Sequence, residues 1–545
     1  MTKPSTMERL ERWLPWLAVG VVLALPLRGL LRAPGPPMEE GFMLVFPERV
    51  LHGDVPNNDF LHLYGPGSLW ALAAVFKTLG TSLWTERLAG YAQQVALVAA
   101  MFAVARPWGR WVAAAGAAMA AIIIVPPIGL TALAWVGGLA FGLWAMAAAT
   151  RERIVLAGLL AGAALLFRLD LVLAVVLGLF VASRTMPRAR QYRLVAAVAA
   201  GLSPYLVHLA LAGPGNVWQG MVVDPLFHLR GGRRLPLPPS WSHFDGFLQR
   251  AGQLNAPGWA LPAPPSPGQL TLWLLLLVAS VAALLVVGWS AVRRDPKSTR
   301  ARTLFVLGVF SFGLLPQAFQ RADTTHLAWV SAVPIGLLPI AVREVLDNRT
   351  RRLSPTRRVI VAAATPFVLL LALVPHFTFR TYVDATAQTF GYHRESYTIR
   401  RGQRVFYYGR KDAADAVNAM LVDVDRLSHP GDRLFVGTGD LRKTPYSEAF
   451  LYYLLPELPP ATYYIEMDPG VANAADSGLD RDVASADLVI LSSIRDDWDE
   501  PNDSRDVGPD GPNQVLARDF RLAGSYGAGL FGHGLYELYV RSTPR

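Results

Sequence analysis

Residues 270–291 read LTLWLLLLVASVAALLVVGWSA, without a single charged side chain. A helix needs about 20 apolar residues to cross the hydrocarbon of a bilayer, so this stretch predicts a membrane span. Comparable stretches recur at 14–31, 87–105, 111–126, 129–149, 193–212, 327–343 and 358–376, with shorter ones at 154–167, 170–184 and 303–319. Together they predict a mainly α, polytopic transmembrane helical bundle of about 11 spans. The stretch 67–80 is short and interrupted by Lys77, and reads as interfacial or re-entrant. The composition agrees. Of 545 residues, 52% are hydrophobic and 17% charged, and the mean hydropathy is +0.30, whereas soluble domains carry roughly 25% charged residues. With no cysteine, disulfides, thiolate metal sites and cysteine nucleophiles are excluded.

The net charge of +10 resembles a nucleic-acid signal, but topology accounts for it. Lys3, Arg9 and Arg12 precede the first span with no small-residue cleavage site after it, so that span reads as a retained helix. With the N-terminus inside and 67–80 not crossing, the segments 1–13, 106–110, 150–153, 184–193, 292–302 and 343–358 are cytoplasmic. They hold 22 Lys and Arg against six acids, which fits the positive-inside rule. Residues 1–376 carry 33 basic against 16 acidic side chains, and residues 377–545 carry 18 against 25. The basic excess is therefore mainly cytoplasmic loop, and no nucleic-acid partner is implied.

Two regions fall outside under this N-in, C-out orientation. Residues 213–269 form a Pro- and Gly-rich loop whose Trp218, Trp241 and Trp259 suit a membrane interface. Residues 377–545 read as a small α/β domain. Its predicted strands are Arg433–Gly437, Ala461–Met467 and Asp487–Leu491. Its predicted helices are 411–427 and 446–455, and a closing hairpin runs over Leu530–Arg541 around Gly532 and Gly534. The chain thus divides into a membrane domain, 1–376, with a first outer loop at 32–86, and an extracytoplasmic domain, 377–545.

Charges at membrane edges are costly, so their positions are informative. Most of the unusual ones fall on the outer face. Glu39 and Glu40 follow the first span, and one of an adjacent carboxylate pair can serve as a general base, though a solvated loop start also explains them. Arg321 can fork onto a phosphate and His326 can bind it or shuttle a proton, while Asp323 is placed to cap the helix that starts near 326. Arg168 and Asp170 read as an ion pair joining helix ends. Arg230, with Arg233 and Arg234, can meet phosphate headgroups. Soluble-enzyme motifs are missing: Gly437-Thr-Gly439 lacks the third glycine of a dinucleotide fingerprint, and there is no Walker A lysine motif and no His-x-x-x-His pair.

These elements, in this order, resemble the GT-C superfamily of polytopic glycosyltransferases, on the protein-O-mannosyltransferase-like and aminoarabinose-transferase-like branch. The resemblance rests on Glu39-Glu40-Gly41, on Arg49-Val-Leu-His-Gly53-Asp-Val-Pro56 leading to Asp59-Phe60 and Tyr64-Gly-Pro66-Gly67, on Arg168-Leu-Asp170, and on Arg321-Ala-Asp323 with His326. It covers roughly residues 10–376. The tail, with Pro445-Tyr-Ser-Glu-Ala-Phe-Leu-Tyr-Tyr453, is similar to the C-terminal regions of actinobacterial members. Many bacterial members carry Asp-Glu where this chain has Glu39-Glu40, which adds a methylene. The resemblance implies inverting transfer of a sugar from a polyprenyl-phosphate donor to an acceptor (protein, lipid or cell-wall glycan) outside the cytoplasmic membrane. It implies Glu39 or Glu40 as base, Asp59 and His62 as supports, and Arg321 with His326 on the phosphate side, with Tyr64, Arg168, Asp170, Arg230 and Asp323 in donor or substrate binding. Some members hold a divalent metal near this loop and others do not; Glu39, Glu40 and Asp59 would be its ligands here, and no other cofactor is implied.

Two other classes fit a polytopic chain. A transporter or flippase predicts related halves and charges at mid-span, and neither is seen in the sequence. A non-catalytic assembly anchor predicts an inert first loop and a tail with an exposed ligand patch.

Overall fold

A computed structural model of the chain describes residues 6–238, 266–349, 353–392, 396–444, 446–496, 500–529 and 533–543. The protein is mainly helical and multi-pass, and the strands among the described residues lie in two small sheets near the C-terminus. Among the described residues, seven helical stretches are long and apolar enough to cross a bilayer: Trp13–Leu30, Leu83–Trp108, Arg188–Ala212, Gly268–Arg294, Thr299–Gln320, Thr324–Arg349 and Pro355–Leu373. Four shorter apolar helices accompany them, Arg110–Val125, Ala134–Thr150, Ile154–Phe167 and Leu169–Ser183. The helix Pro66–Leu79 falls in neither group. It opens on Pro66, whose fixed φ suits a first helical turn.

In lipid there is little hydrophobic force between helices, so close backbone packing of small residues does much of the joining. Gly158 and Gly162 of the helix Ile154–Phe167 show this. A Cβ on Gly162 would lie 2.6 Å from Cα of Gly201 on the helix Arg188–Leu202. Charge sorts to the two ends of the bundle. At one end Arg300, Arg343 and Arg358 converge on Asp347, and Arg190 pairs with Glu152. The other end carries the first loop, Arg168, Arg321 and the tail.

In the tail, β1 (Tyr397–Arg401) and β2 (Arg404–Tyr408) form an antiparallel hairpin. Its turn contains Gly402 at φ +56°. The second sheet has the order β3-β4-β6-β5, from β3 (Leu434–Thr438), β4 (Leu488–Ser492), β5 (Phe520–Tyr526) and β6 (Tyr536–Arg541). β3 and β4 are parallel and wholly buried, which is why LFVGT and LVILS are nearly continuous apolar runs. β6 alternates buried and half-buried residues and pairs antiparallel with β4 and β5. The closing hairpin is therefore built from β5 and β6; Gly532 lies outside the described residues. The helix Lys411–Leu427 buries Ala413, Val417, Met420 and Val424, a helical stripe that packs on the sheets.

One expected strand is not formed. Residues 461–467 run as an irregular segment, because their backbone is bonded elsewhere. Ala461 N donates to Leu434 O at 2.7 Å, and Tyr463 O accepts from Leu61 N of the first loop at 2.9 Å. The adjacent Tyr463 and Tyr464 pack on an apolar cluster of Leu61, Leu63, Leu229 and Val471. The long 213–269 segment is helical as far as Arg233, and Trp218 is exposed; Trp241 and Trp259 lie outside the described residues.

The tail clasps the first loop. Arg404 forks onto Glu48 at 2.6 and 2.8 Å, Tyr407 O accepts from Gly35 N, and Tyr453 Oη accepts from Leu83 N. Phe450 N donates to Pro37 O at 3.2 Å. The helix Glu39–His52 runs directly beneath the residues around Phe450, and Gly41 makes this approach possible: a Cβ there would lie 2.3 Å from Phe450 N and 2.7 Å from Ala449 C. Backbone cannot move aside as a flexible side chain can. Gly41→Ala is therefore expected to lift the tail from the first loop, and limited proteolysis of the purified variant should release the tail well before the wild type. Gly20→Ala, with open space around the added methyl, should digest as wild type.

Candidate active site

Glu39 and Glu40 occupy the first turn of one helix. Successive helical residues are rotated by about 100°, so the two carboxylates face different surroundings. Glu40 is buried and forks onto Arg87 with two 2.7 Å contacts. Arg87 in turn donates to the backbone oxygens of Leu30 and Ala33. Glu40 thus fastens the first loop to the helix Leu83–Ala105.

Glu39 turns toward the tail. Its Oε2 accepts from Tyr446 Oη at 2.7 Å, and the same tyrosine oxygen accepts from Met38 N at 3.1 Å. The Arg495 guanidinium lies 4.3 Å from the centre of the Tyr446 ring. Burial raises the Glu39 pKa above its ordinary value; the Tyr446 hydrogen bond and the charges of Arg233 and Arg495 offset only part of this.

The irregular tail segment supplies two more carboxylates, Glu466 and Asp468, both 1% exposed. Asp468 pairs with Arg233 at the end of the helix Leu229–Arg233. Glu466 Oε1 is buried without a hydrogen-bond partner among the described residues. Burial pushes Glu466 up to about 7, with Glu39 pushing the same way and Arg233 and Arg168 pulling down. Buried Glu466, Asp468 and Arg168 and half-buried Glu39 and Arg233 therefore form one electrostatic group. It is walled by the first loop, a helix end of the bundle and the tail.

Arg168 is buried and pairs with Asp170 at 3.0 Å. Its guanidinium covers the Tyr64 ring at 3.9 Å and also faces Trp135, a favourable arrangement for a planar cation. His62 is buried edge-on against Phe46 and Tyr64. Burial, with the nearby His208 and Arg168, lowers its pKa to about 3, so it is neutral at physiological pH and offers no charge to a phosphate.

Arg321 is already matched. It forks onto Glu500 at 2.7 and 2.9 Å and contacts Asp323 at 2.8 Å. Its Nη1 also donates to Arg233 O at 3.1 Å, so it braces the arginine that reaches the carboxylate group. Asp323 caps the helix Thr324–Gly336, accepting from His326 N at 2.8 Å, and also contacts His326 Nδ1. Burial raises Asp323, but His326 and Arg321 outweigh it and bring its pKa to about 2. Asp59 lies apart from the Glu39 contacts. It is exposed, and its carboxylate accepts from Val55 N at 2.7 Å and from Asn58. Arg230 is exposed on the same short helix as Arg233. Glu39, Glu40 and Asp59 thus have three separate partner sets, and among the described residues no group of three or more acidic or histidine side chains is placed to hold a metal ion.

The structure is similar to two crystal structures of ArnT from Cupriavidus metallidurans. The apo state is 14% identical with TM-score 0.47, over 98% of this chain and 100% of that one. The form bound to undecaprenyl phosphate is 14% identical with TM-score 0.44, over 98% and 99%. It is also similar to the Archaeoglobus fulgidus oligosaccharyltransferase in complex with Zn and sulfate, at 13% identity and TM-score 0.42, over 95% of this chain and 73% of that one. No protein-family model and no curated protein matches the sequence.

Sequence reasoning missed Glu466, Asp468, Tyr446 and Arg495, and passed over Arg233 in favour of Arg230. The available signal was Glu466-Met-Asp468-Pro-Gly470, two acids in an aromatic stretch that ends in a turn dipeptide.

Two stability predictions follow from these burials. Arg87→Ala leaves Glu40 buried without its partner and should cost about 3–5 kcal/mol, read as a large loss of thermal stability in detergent. For Glu466, the folded protein holds a proton between pH 4.5 and 7 that the unfolded chain releases. Stability due to this group is therefore full below pH 4.5 and lost as pH rises through 7, by on the order of 3 kcal/mol. Glu466→Gln should flatten that part of the Tm–pH profile and raise Tm most near pH 8.

Proposed function

We propose that this protein is a membrane glycosyltransferase that moves a sugar from a polyprenyl-phosphate carrier to an acceptor outside the cytoplasmic membrane. The observation that supports it best is the setting of Glu39: a half-buried carboxylate of raised pKa, aimed by Tyr446, beside further carboxylates and two arginines at one end of a helical bundle. A carboxylate in that state has the basicity to take a proton from a hydroxyl as it attacks. The acceptor oxygen bonds to the anomeric carbon from the side opposite the carrier, the bond to the phosphate oxygen breaks, and the acceptor's proton passes to Glu39. Configuration inverts in this single displacement. The carrier leaves as polyprenyl phosphate, and its growing charge is met by Arg233 and Arg168. Glu466 and Asp468 are acceptors for the hydroxyls of the sugar. Tyr64 and Asp170 orient Arg168, while Arg321, with Asp323 and His326, positions Arg233. The apolar walls between the spans accommodate the polyprenyl chain. His62, buried and neutral, packs against the Tyr64 ring that Arg168 covers, and a lipid, protein or cell-wall glycan is the acceptor.

The test is incubation of the purified protein with a panel of radiolabelled polyprenyl-phosphate sugars, scoring transfer and hydrolysis. Glu39→Gln should reduce turnover by about 10²–10⁴-fold while leaving the fold intact. Glu40→Gln should lower stability yet retain turnover per folded molecule. No turnover of any donor by folded wild-type protein would overturn the reading, and wild-type rates in Glu39→Gln would overturn the base assignment.

A further inference from the structure

A cavity of about 240 Å³ opens at the end of the bundle opposite Glu39. It lies where five membrane helices begin or end: Thr150, Val181, Arg190, Val292 and Thr299 come from five separate ones. That volume is ample for a small polar head. Its inner wall is apolar, with Val181, Val292 and Phe305. Its rim carries Arg184, Arg190 and Arg302. Glu152 is the acid on this lining and is engaged by Arg190 at 2.7 Å. Arg184 and Arg302 are exposed and make no ion pair among the described residues. The cavity therefore presents uncompensated positive charge beside apolar side chains, at helix ends on the basic side of the bundle.

The geometry points to a binding site for one anionic phospholipid of the leaflet on the basic side. The phosphate lies between Arg184 and Arg302, and an acyl chain runs along Val181, Val292 and Phe305. A basic pocket between membrane helices, facing the leaflet that holds anionic lipid, has the charge and shape for this occupant. The bland explanation is that the arginines are loop residues obeying the positive-inside rule. That rule places basic residues on this face but does not gather unpaired ones from two separate helix junctions around a single cavity. Neither the proposed transfer reaction nor its residues enter this inference, so the two stand or fall separately.

The experiment reconstitutes the full-length protein in phosphatidylcholine bilayers containing a minor fraction of phosphatidylglycerol and counts retained lipids by native mass spectrometry. Wild-type protein is expected to keep one phosphatidylglycerol. The double variant R184Q/R302Q should bind it roughly 30-fold more weakly, about 2 kcal/mol, with an unchanged elution volume, since both side chains are exposed and unpaired. Arg357→Gln removes an exposed arginine at the same end of the bundle but outside the cavity, and should retain lipid as wild type. Equal retention by R184Q/R302Q and wild type would overturn the site. An equal loss in Arg357→Gln would reduce it to general surface attraction. Competition by soluble glycerol phosphate as effective as that by the lipid would overturn the lipid assignment.

Discussion

A single hydroxyl joins the two ends of the chain. Tyr446 Oη donates to Glu39 and accepts from Met38 N, so it fixes both the side chain and the backbone at the start of the helix Glu39–His52. That helix start favours a carboxylate, because its free N–H groups carry partial positive charge. Burial opposes it, and the balance leaves Glu39 basic and oriented. Tyr446 is itself held beneath Arg495. The geometry of a group in the first loop is therefore set by residues more than 400 positions later, and exists only while the tail is docked. Gly41, Arg404 with Glu48, and Arg321 with Glu500 all serve that docking.

Charge explains why these contacts are specific. In a buried, poorly polarisable setting an unmatched charge is far more costly than in water. The first loop and the bundle end answer this with pairs: Glu40 with Arg87, Asp170 with Arg168, Asp323 and Glu500 with Arg321, and Asp468 with Arg233. Glu39 and Glu466 are the group's carboxylates whose pKa values move up. Proteins tolerate such positions at a cost to stability, and perturbed carboxylates gather at working sites for that reason. Their partners, Arg87 for Glu40 and Tyr446 for Glu39, therefore separate the two residues more firmly than their places in the sequence.

Much of this was legible in the sequence, within definite bounds. Each helix long or apolar enough to enter a membrane coincides with a hydropathy-derived stretch, because a span is a local property of some 20 residues. The Arg168–Asp170 pair and the Asp323 cap were likewise readable, being contacts between near neighbours. Long-range contacts were not. Whether Arg321 is free for a ligand depends on Glu500, and no local pattern reveals that. Ala461–Met467 has the alternation of a strand, yet its backbone bonds to Leu61 of the first loop and so never joins a ladder. Reading it as a strand hid Glu466, since a strand would have presented it as an ordinary exposed position, and Asp468 fell just beyond the strand's end. The Glu39-Glu40 pair looked symmetrical because sequence lists neighbours side by side; helical rotation separates them.

The Arg233–Asp468 pair bears on which ligands the proposed site can accept. As the structure stands, Arg233 is satisfied by a buried carboxylate, and a ligand that takes over the guanidinium must supply at least as much negative charge. A neutral sugar cannot do so; it would leave Asp468 buried and unmatched, at a cost of several kcal/mol. A phosphate can, because it pairs with Arg233 while a hydroxyl of the attached sugar donates to the released Asp468. Phosphate and sugar are then needed together on one molecule, since either alone leaves one member of the pair uncompensated. The same logic holds for Glu466, whose unpartnered oxygen gains a donor only when a hydroxyl arrives. On the proposed reading, discrimination for a sugar phosphate over its separate parts is thus a consequence of how the free site balances its own charges.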